Sequence, residues 1–318
     1  MPFFYSLLLL SLKSHVFSFP LFIFFIKLNN NNFPGDMMQI GKYKLTVINT
    51  GYFKLDGGAM FGIIPRNLWE KTNAPDNLNR ITLSARCLLL QRKGRNILID
   101  TGMGNKWDEK AKSIYDIDNS RLTLKGELAK AGLLPEDITD VILTHLHFDH
   151  TGGSTIIENG RLYPAFQAAK YYVQKQNFEW ALNPTDRDKG SYIKDNFMPL
   201  MDFGVLDLLN GNTQFDENLS FIVVNGHTFG QQLIKIQDSS NTLLYCCDLI
   251  PTASHIPLPY IMGYDLQPLV TLADKTKLLQ KANDEKWMLF FEHDQCAAYA
   301  TVTKTDKGYK AENIYNEF

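Results

Sequence analysis

Short runs rich in β-branched and aromatic residues recur along the chain and predict strands. They cover Tyr43–Asn49, Arg86–Gln91, Asn96–Ile99, Val141–Thr144, Lys170–Val173, Phe221–Val224, Gln232–Ile236, Thr242–Cys246, Met288–Phe291 and Tyr299–Thr303. Helical periodicity falls between some of them. Leu124, Leu128 and Ala131 share one face before Gly132, and Pro135 is expected to end that run. Phe178–Leu182 and Leu269–Ala282 also read as helices, the second carrying Leu269, Leu272, Leu278 and Leu279. Strands come first without helices, then alternate with them, and the pattern repeats weakly in the second half. This predicts an α/β protein with sheet packed on sheet and helices outside.

The first 36 residues break the pattern. Met1–Leu28 is mostly apolar, holds Lys13, Ser14 and His15 at its middle and Pro20 beyond, and is followed by four asparagines and a Phe-Pro-Gly turn. It lacks the unbroken apolar length of a membrane span. It also lacks the charged start and small-residue cleavage site of a secretory signal. We read 1–36 as an apolar low-complexity extension outside the fold, with a membrane or targeting segment as the alternative, and 37–318 as the folded domain.

The 318 residues are 45% apolar and 21% charged, with a net charge of −2. That apolar share excludes a disordered chain. The balanced charge excludes general nucleic-acid binding, which needs a basic surface. Cys87, Cys246, Cys247 and Cys296 are scattered and form no disulfide framework or zinc-ribbon spacing. They are expected to be buried free thiols in a reducing compartment.

The chemistry gathers at strand ends. Thr144–Gly153 reads THLHFDHTGG and places His145, His147, Asp149 and His150 on the loop leaving the apolar run Val141–Leu143. In an extended turn His145 and His147 project the same way. Asp149 and His150 follow the bend, and Gly152 and Gly153 are expected to let the backbone turn tightly behind them. Imidazole and carboxylate suit Zn, Fe or Mn. His227, Asp248 and His293 each follow a further apolar strand, where α/β architectures collect their sites. Seven ligand-type residues suffice for two metal ions.

The pattern His145-x-His147-x-Asp149-His150, then Gly226-His227, the strand-end Asp248 and the late His293, resembles the metallo-β-lactamase superfamily. The upstream Asp100-Thr101-Gly102 resembles that superfamily's strand-end Asp-Thr-Gly. The resemblance implies a four-layer αββα sandwich with two divalent metals, zinc foremost and Fe or Mn as alternatives, at one edge of the sheets. It implies that His145, His147 and His227 hold one metal and Asp149, His150 and His293 the other. Asp248 would bridge them with a hydroxide. Asp149 is the expected proton shuttle, and Asp100 a candidate to orient a histidine. Metal-bound hydroxide, available near neutral pH, would attack an ester or lactone of a small, partly apolar molecule. The alternatives on the same site are a β-lactam, a thioester or a phosphodiester.

Within that superfamily the ligand set is similar to the lactonases that open N-acyl-homoserine lactones. Those carry a Tyr three residues after the bridging Asp, where this chain has Pro251. Tyr192, Tyr260 or Tyr264 would have to supply a phenol instead. The segment 252–265 is a candidate pocket wall. The glycine-rich stretch 51–69, with exposed-looking aromatics, is a candidate flexible lid. Met60, Phe61, His255, Tyr260 and Tyr264 are the expected pocket residues. The expected partner is a small molecule, with a homodimer as an option for assembly and no nucleic acid. The expected location is cytoplasmic, or membrane-anchored or exported if the N-terminal segment is a working signal.

Overall fold

The strand runs assemble into two sheets in the computed structural model, which describes residues 38–118 and 120–317, all within one unit. The segment 1–36, His15 included, and its boundary lie outside the described residues. Strands β1 (Gln39–Ile40), β2 (Tyr43–Asp56), β3 (Arg80–Arg92), β4 (Arg95–Ile99) and β5 (Asp140–Ile142) come first. A small hairpin of β6 (Thr155–Glu158) and β7 (Arg161–Pro164) follows, then β8 (Lys170–Gln174) and β9 (Leu206–Leu209). The first sheet has the order β1-β2-β3-β4-β5-β8-β9. It is antiparallel as far as β4 and parallel from β4 to β9. The second sheet runs in chain order through β10 (Leu219–Val224), β11 (Gln231–Gln237), β12 (Thr242–Tyr245), β13 (Met288–Phe290), β14 (Tyr299–Thr305) and β15 (Gly308–Tyr315).

Helices fill the connections. Single turns α1 (Gly57–Phe61) and α2 (Arg66–Trp69) follow β2, and α3 (Glu109–Tyr115) and α4 (Leu124–Lys130) join β4 to β5. The short α5 (Phe148–Thr151) follows β5, α6 (Lys175–Leu182) and α7 (Met198–Asp202) join β8 to β9, and α8 (Pro268–Glu285) joins β12 to the parallel β13.

Strand periodicity explains the layers, because successive side chains point to opposite faces. Cys87, Leu89 and Leu98 face outward and pack with Leu128 of α4, Phe178 and Ala181 of α6 and Leu200 of α7. Leu88, Leu90, Ile97 and Ile99 face inward and pack with Phe221, Ile234, Ile236 and Leu243 of the second sheet. Leu279 and Ala282 of α8 join that core from the far side. The result is the expected αββα sandwich. Each fully buried Leu or Ile contributes about 1.5–3 kcal/mol, so this apolar interior supports a polar site at the sheet edge.

The structure differs from the sequence reading in several places. Strand β3 begins at Arg80 rather than Arg86, since Ile81 and Leu83 also bury. Strands β1, β6, β7, β9 and β15 were not anticipated; they are short or carry exposed polar positions. Gly132, at φ +76°, ends the run after α4, and Pro135 instead opens a 3-10 turn over Pro135–Asp137. Cys87, Cys246 and Cys247 are buried, but Cys296 is exposed. It sits in a turn where the Asp294 carboxylate accepts hydrogen bonds from the Cys296 and Ala297 amides. The stretch 51–69 is no lid. Its first part completes β2, and Phe53, Met60, Phe61 and Trp69 are buried in a third apolar cluster with Ile81, Leu83 and Met262. Among the described residues no helix is long and apolar enough to cross a membrane.

Candidate metal centre

Sheet order brings the functional strand ends to one edge. Asp100 follows β4, His145 to His150 follow β5, His227 follows β10, Asp248 follows β12 and His293 follows β13. Asp100 and Cys247 adopt φ of 57° and 47°, in the left-handed region that non-glycine residues rarely enter. Such a residue costs about 1–3 kcal/mol, and here the two turns aim Asp100 at His150 and Asp248 into the centre. Gly152 is helical, with φ −56°, so it is not needed for an unusual backbone. A Cβ there would stand 2.0 Å from the Met103 carbonyl oxygen. Glycine is required because two backbone segments touch behind the metal turn.

All seven sequence-predicted ligand residues converge. Asp248 lies in the middle. Its Oδ2 is 3.0 Å from His227 Nε2, 3.7 Å from His145 Nε2 and 3.4 Å from His150 Nε2. Its Oδ1 is 3.1 Å from His293 Nε2. His147 presents Nδ1 at 3.1 Å from His227 Nε2. His150 and His293 bring their Nε2 atoms to 3.2 Å, and Asp149 stands 3.8 and 3.7 Å from those atoms. Two donor groups result: His145, His147, His227 and Asp248, and beside them Asp149, His150 and His293.

These positions fit cations. Donors about 2.0–2.1 Å from a tetrahedral zinc stand about 3.3 Å apart, close to the spacings above. His145 Nε2 and Asp248 Oδ1 are buried without a hydrogen-bond partner, which is costly unless something positive binds there. Outer partners fix the ring directions. His227 Nδ1 donates to Asp265 at 2.9 Å, His293 Nδ1 to the Ser84 carbonyl at 2.9 Å and His150 Nδ1 to Asp100 at 3.1 Å. Thr144 Oγ1 donates to Asp100 at 2.6 Å and therefore accepts from His145 Nδ1 at 3.2 Å. Each of these four rings thus turns Nε2 inward, where it can ligate a cation once any proton there has left.

Burial pushes His145 and His147 well below the ordinary imidazole range, so both are neutral, as metal ligation requires. Burial also acts against charge on His227 and His293. Asp248, joined by Asp265 at His227, outweighs it and raises them to about 10 and about 9. Burial would raise the Asp248 carboxyl, but His227, His150 and His293 hold it well below the carboxylate range. Cation binding would therefore displace protons.

The centre forms the floor of a cavity of about 390 Å³, walled by Leu55, Met60, Leu83, Phe148, Met262 and Leu266, with Tyr115, Tyr264 and Arg187 among its lining. Met60 and Tyr264 thus line it as expected. Phe61, His255 and Tyr260 stand behind the wall. The Phe61 ring stacks on His255 at 4.5 Å and meets Tyr260 edge-on at 6.0 Å. His255 is spent on Thr252 Oγ1 at 2.7 Å and the Met60 carbonyl at 2.8 Å. The Tyr192 ring packs on His147, and its hydroxyl pairs with Thr228 at 2.7 Å. The segment 252–265 divides accordingly, with His255 buried and Met262–Tyr264 on the cavity. Asp265, Tyr115, Arg187 and Glu292 escaped the sequence reading.

A family model described as the metallo-beta-lactamase superfamily matches residues 81–293. The chain belongs to the metallo-beta-lactamase superfamily. Family, fold and donor set together make it a metal-dependent hydrolase. It is 26% identical over 231 residues to an N-acyl homoserine lactonase of Bacillus thuringiensis, covering 67% of this chain and 82% of that one. A Bacillus cereus N-acyl homoserine lactonase is 26% identical over 258 residues, 76% of this chain and 92% of that one. A probable metal-dependent hydrolase of Staphylococcus aureus superposes with a TM-score of 0.79 at 28% identity, covering 88% and 98%. The dizinc quorum-quenching lactonase AidC shares the fold at a TM-score of 0.73 and 23% identity, covering 88% and 97%.

The Asp265–His227 contact gives a first prediction. Asp265→Asn keeps the shape but removes the charge that favours Nδ1–H. Loss of such an outer partner costs about 10–100-fold in metal affinity or activity. Chelator competition on the purified variant checks this, and unchanged affinity together with unchanged turnover would contradict it.

Proposed function

We propose that the chain is a dinuclear metallohydrolase that opens the acyl–oxygen bond of a lactone or ester of a small, partly apolar molecule. The observation that carries this reading is the pair of donor groups sharing Asp248 at the floor of an apolar cavity. In it His145, His147 and His227 hold one cation, Asp149, His150 and His293 the second, and Asp248 offers an oxygen to each. Zinc is the cation that the donor set favours, with iron or manganese as alternatives. When bound, the cations supply a nucleophile at neutral pH and withdraw charge from the acyl oxygen.

The rest falls to the chain. The Leu55, Met60, Leu83 and Met262 walls exclude water and take the apolar part of the substrate, and about 390 Å³ suits a small ligand. Asp149 faces the cavity beside the second donor group and can pass a proton to the leaving alkoxide. Pro251, at the position where the similar lactonases carry a phenol, uses its carbonyl to accept from the His293 amide at 3.0 Å. The phenols on the cavity here are Tyr264 and Tyr115, and they orient the substrate in this reading.

The test is turnover by the zinc-loaded protein on a panel of N-acyl homoserine lactones, other lactones, aryl esters, thioesters, phosphodiesters and β-lactams. Oxygen esters or lactones should turn over fastest. Preference for a thioester, phosphodiester or β-lactam would overturn the substrate reading.

A further inference from the structure

Glu292 is fully buried, and neither of its carboxylate oxygens has a hydrogen-bond donor. Its Oε2 stands 3.1 Å from His150 Nδ1. That nitrogen carries one proton, and its hydrogen-bond geometry is met by Asp100 at the same distance. Asp100 is already well supplied, because the Thr144 amide and hydroxyl also donate to it, at 2.7 and 2.6 Å. Glu292 is therefore a second carboxylate behind one imidazole, without a donor of its own.

A buried carboxylate lacking donors costs several kcal/mol unless a cation offsets it. Arg86 is the nearby guanidinium, but it donates to the Phe291 and Ala297 carbonyls at 2.7 and 3.2 Å. Among the described residues only His150 comes within 4.0 Å of Glu292 as an ion-pair partner. The other face of that ring, at Nε2, belongs to the donor group with Asp149 and His293. Glu292 also precedes His293 in the chain, and its carbonyl accepts from the Arg86 amide at 3.2 Å. Its backbone is fixed, and its carboxylate has no hydrogen-bond donor besides the shared His150 edge.

We infer that Glu292 is a positioning residue for the second cation site, a second buried carboxylate behind His150 that a cation at Nε2 would offset. This rests on the dinuclear reading above. Glu292 makes His150 a stronger donor and favours loading of the Asp149, His150 and His293 group over the other. It also destabilises the cation-free protein, so the residue couples folding strength to occupancy.

The test compares the full chain with Glu292→Gln, which keeps the shape and removes the charge. Both are stripped and titrated with zinc against a chelator of known affinity, and melting is followed with and without zinc. Wild type should bind two ions; failure there refutes the dinuclear reading and this inference with it, whereas two ions in wild type with two unchanged affinities in the variant refutes this inference alone. In the variant one of the two affinities should fall about 10–100-fold. The metal-free variant should melt at or above the wild-type temperature, so the zinc-induced rise shrinks. A merely structural role predicts the opposite, a lower metal-free melting temperature with both affinities kept. That outcome overturns the inference, as do two unchanged affinities. If Glu292→Gln does not fold, Glu292→Met repeats the comparison, and failure of both makes the residue a folding determinant and refutes the inference.

Discussion

Replacing Asp248 by alanine should abolish nearly all hydrolysis and lower the bound metal below two ions per chain. Among the described residues, its carboxylate is the one whose two oxygens reach both donor groups, at 3.0 Å from His227 and 3.1 Å from His293. Without it, each group would lose a donor, and two cations held there would lose the anion between them. Charge stabilisation of several kcal/mol is at stake, and about 4 kcal/mol corresponds to about a thousand-fold in rate. His227, raised to about 10 chiefly by Asp248 working against burial, also loses its main anionic partner. Turnover and elemental analysis on the same preparation check both parts. Full activity with two retained ions would refute the central place given to Asp248.

Removing the metal should lower stability strongly, and more at high pH than at low. Each ion present at about 1,000 times its dissociation constant stabilises by about 4 kcal/mol. Two such ions raise melting by about 15 °C for a domain of this size. The pH dependence follows from His227 and His293, held at about 10 and about 9 against about 6.5 when unfolded. Groups raised in this way stabilise the metal-free fold fully below pH 6.5. That contribution is lost as pH rises through 9 and 10, since the folded state then holds protons the unfolded state has released. Cations compete with those same protons, so their affinity grows as pH rises. The metal-induced gain in melting temperature should therefore increase from pH 6.5 to 9, and calorimetry in buffers of different ionisation heat should show protons leaving on loading. A gain that shrinks with pH would contradict the assignment of these histidines.

The metal centre was legible because its chemistry is concentrated. Four ligand-type residues fall within six positions after an apolar strand, and each remaining one ends a strand of its own. Chain geometry does the gathering, since parallel pairing of β4 with β5 and of β12 with β13 puts those ends at one edge. The outer partners were less legible. Asp265 reaches His227 across 38 residues, and no local pattern marks it. Glu292 stands in plain view beside His293, yet its meaning depends on which ring it faces. The stretch 51–69 was misread because four glycines suggest mobility. Phe53, Phe61 and Trp69 in fact bury against Leu83 and Met262, and that packing needs the tertiary fold. Phe61 and His255 failed as cavity residues for the same reason, because sequence proximity to the site does not say which layer a side chain occupies.

Cations held by the Asp248 cluster are the expected agents of hydrolysis. The most direct measurement is metal content per chain together with lactone turnover before chelation, after chelation and after zinc is returned. The expected result is two ions per chain, loss of turnover on stripping and recovery as the second ion is restored. Trace metal in an active preparation, or turnover unaffected by complete stripping, would contradict it.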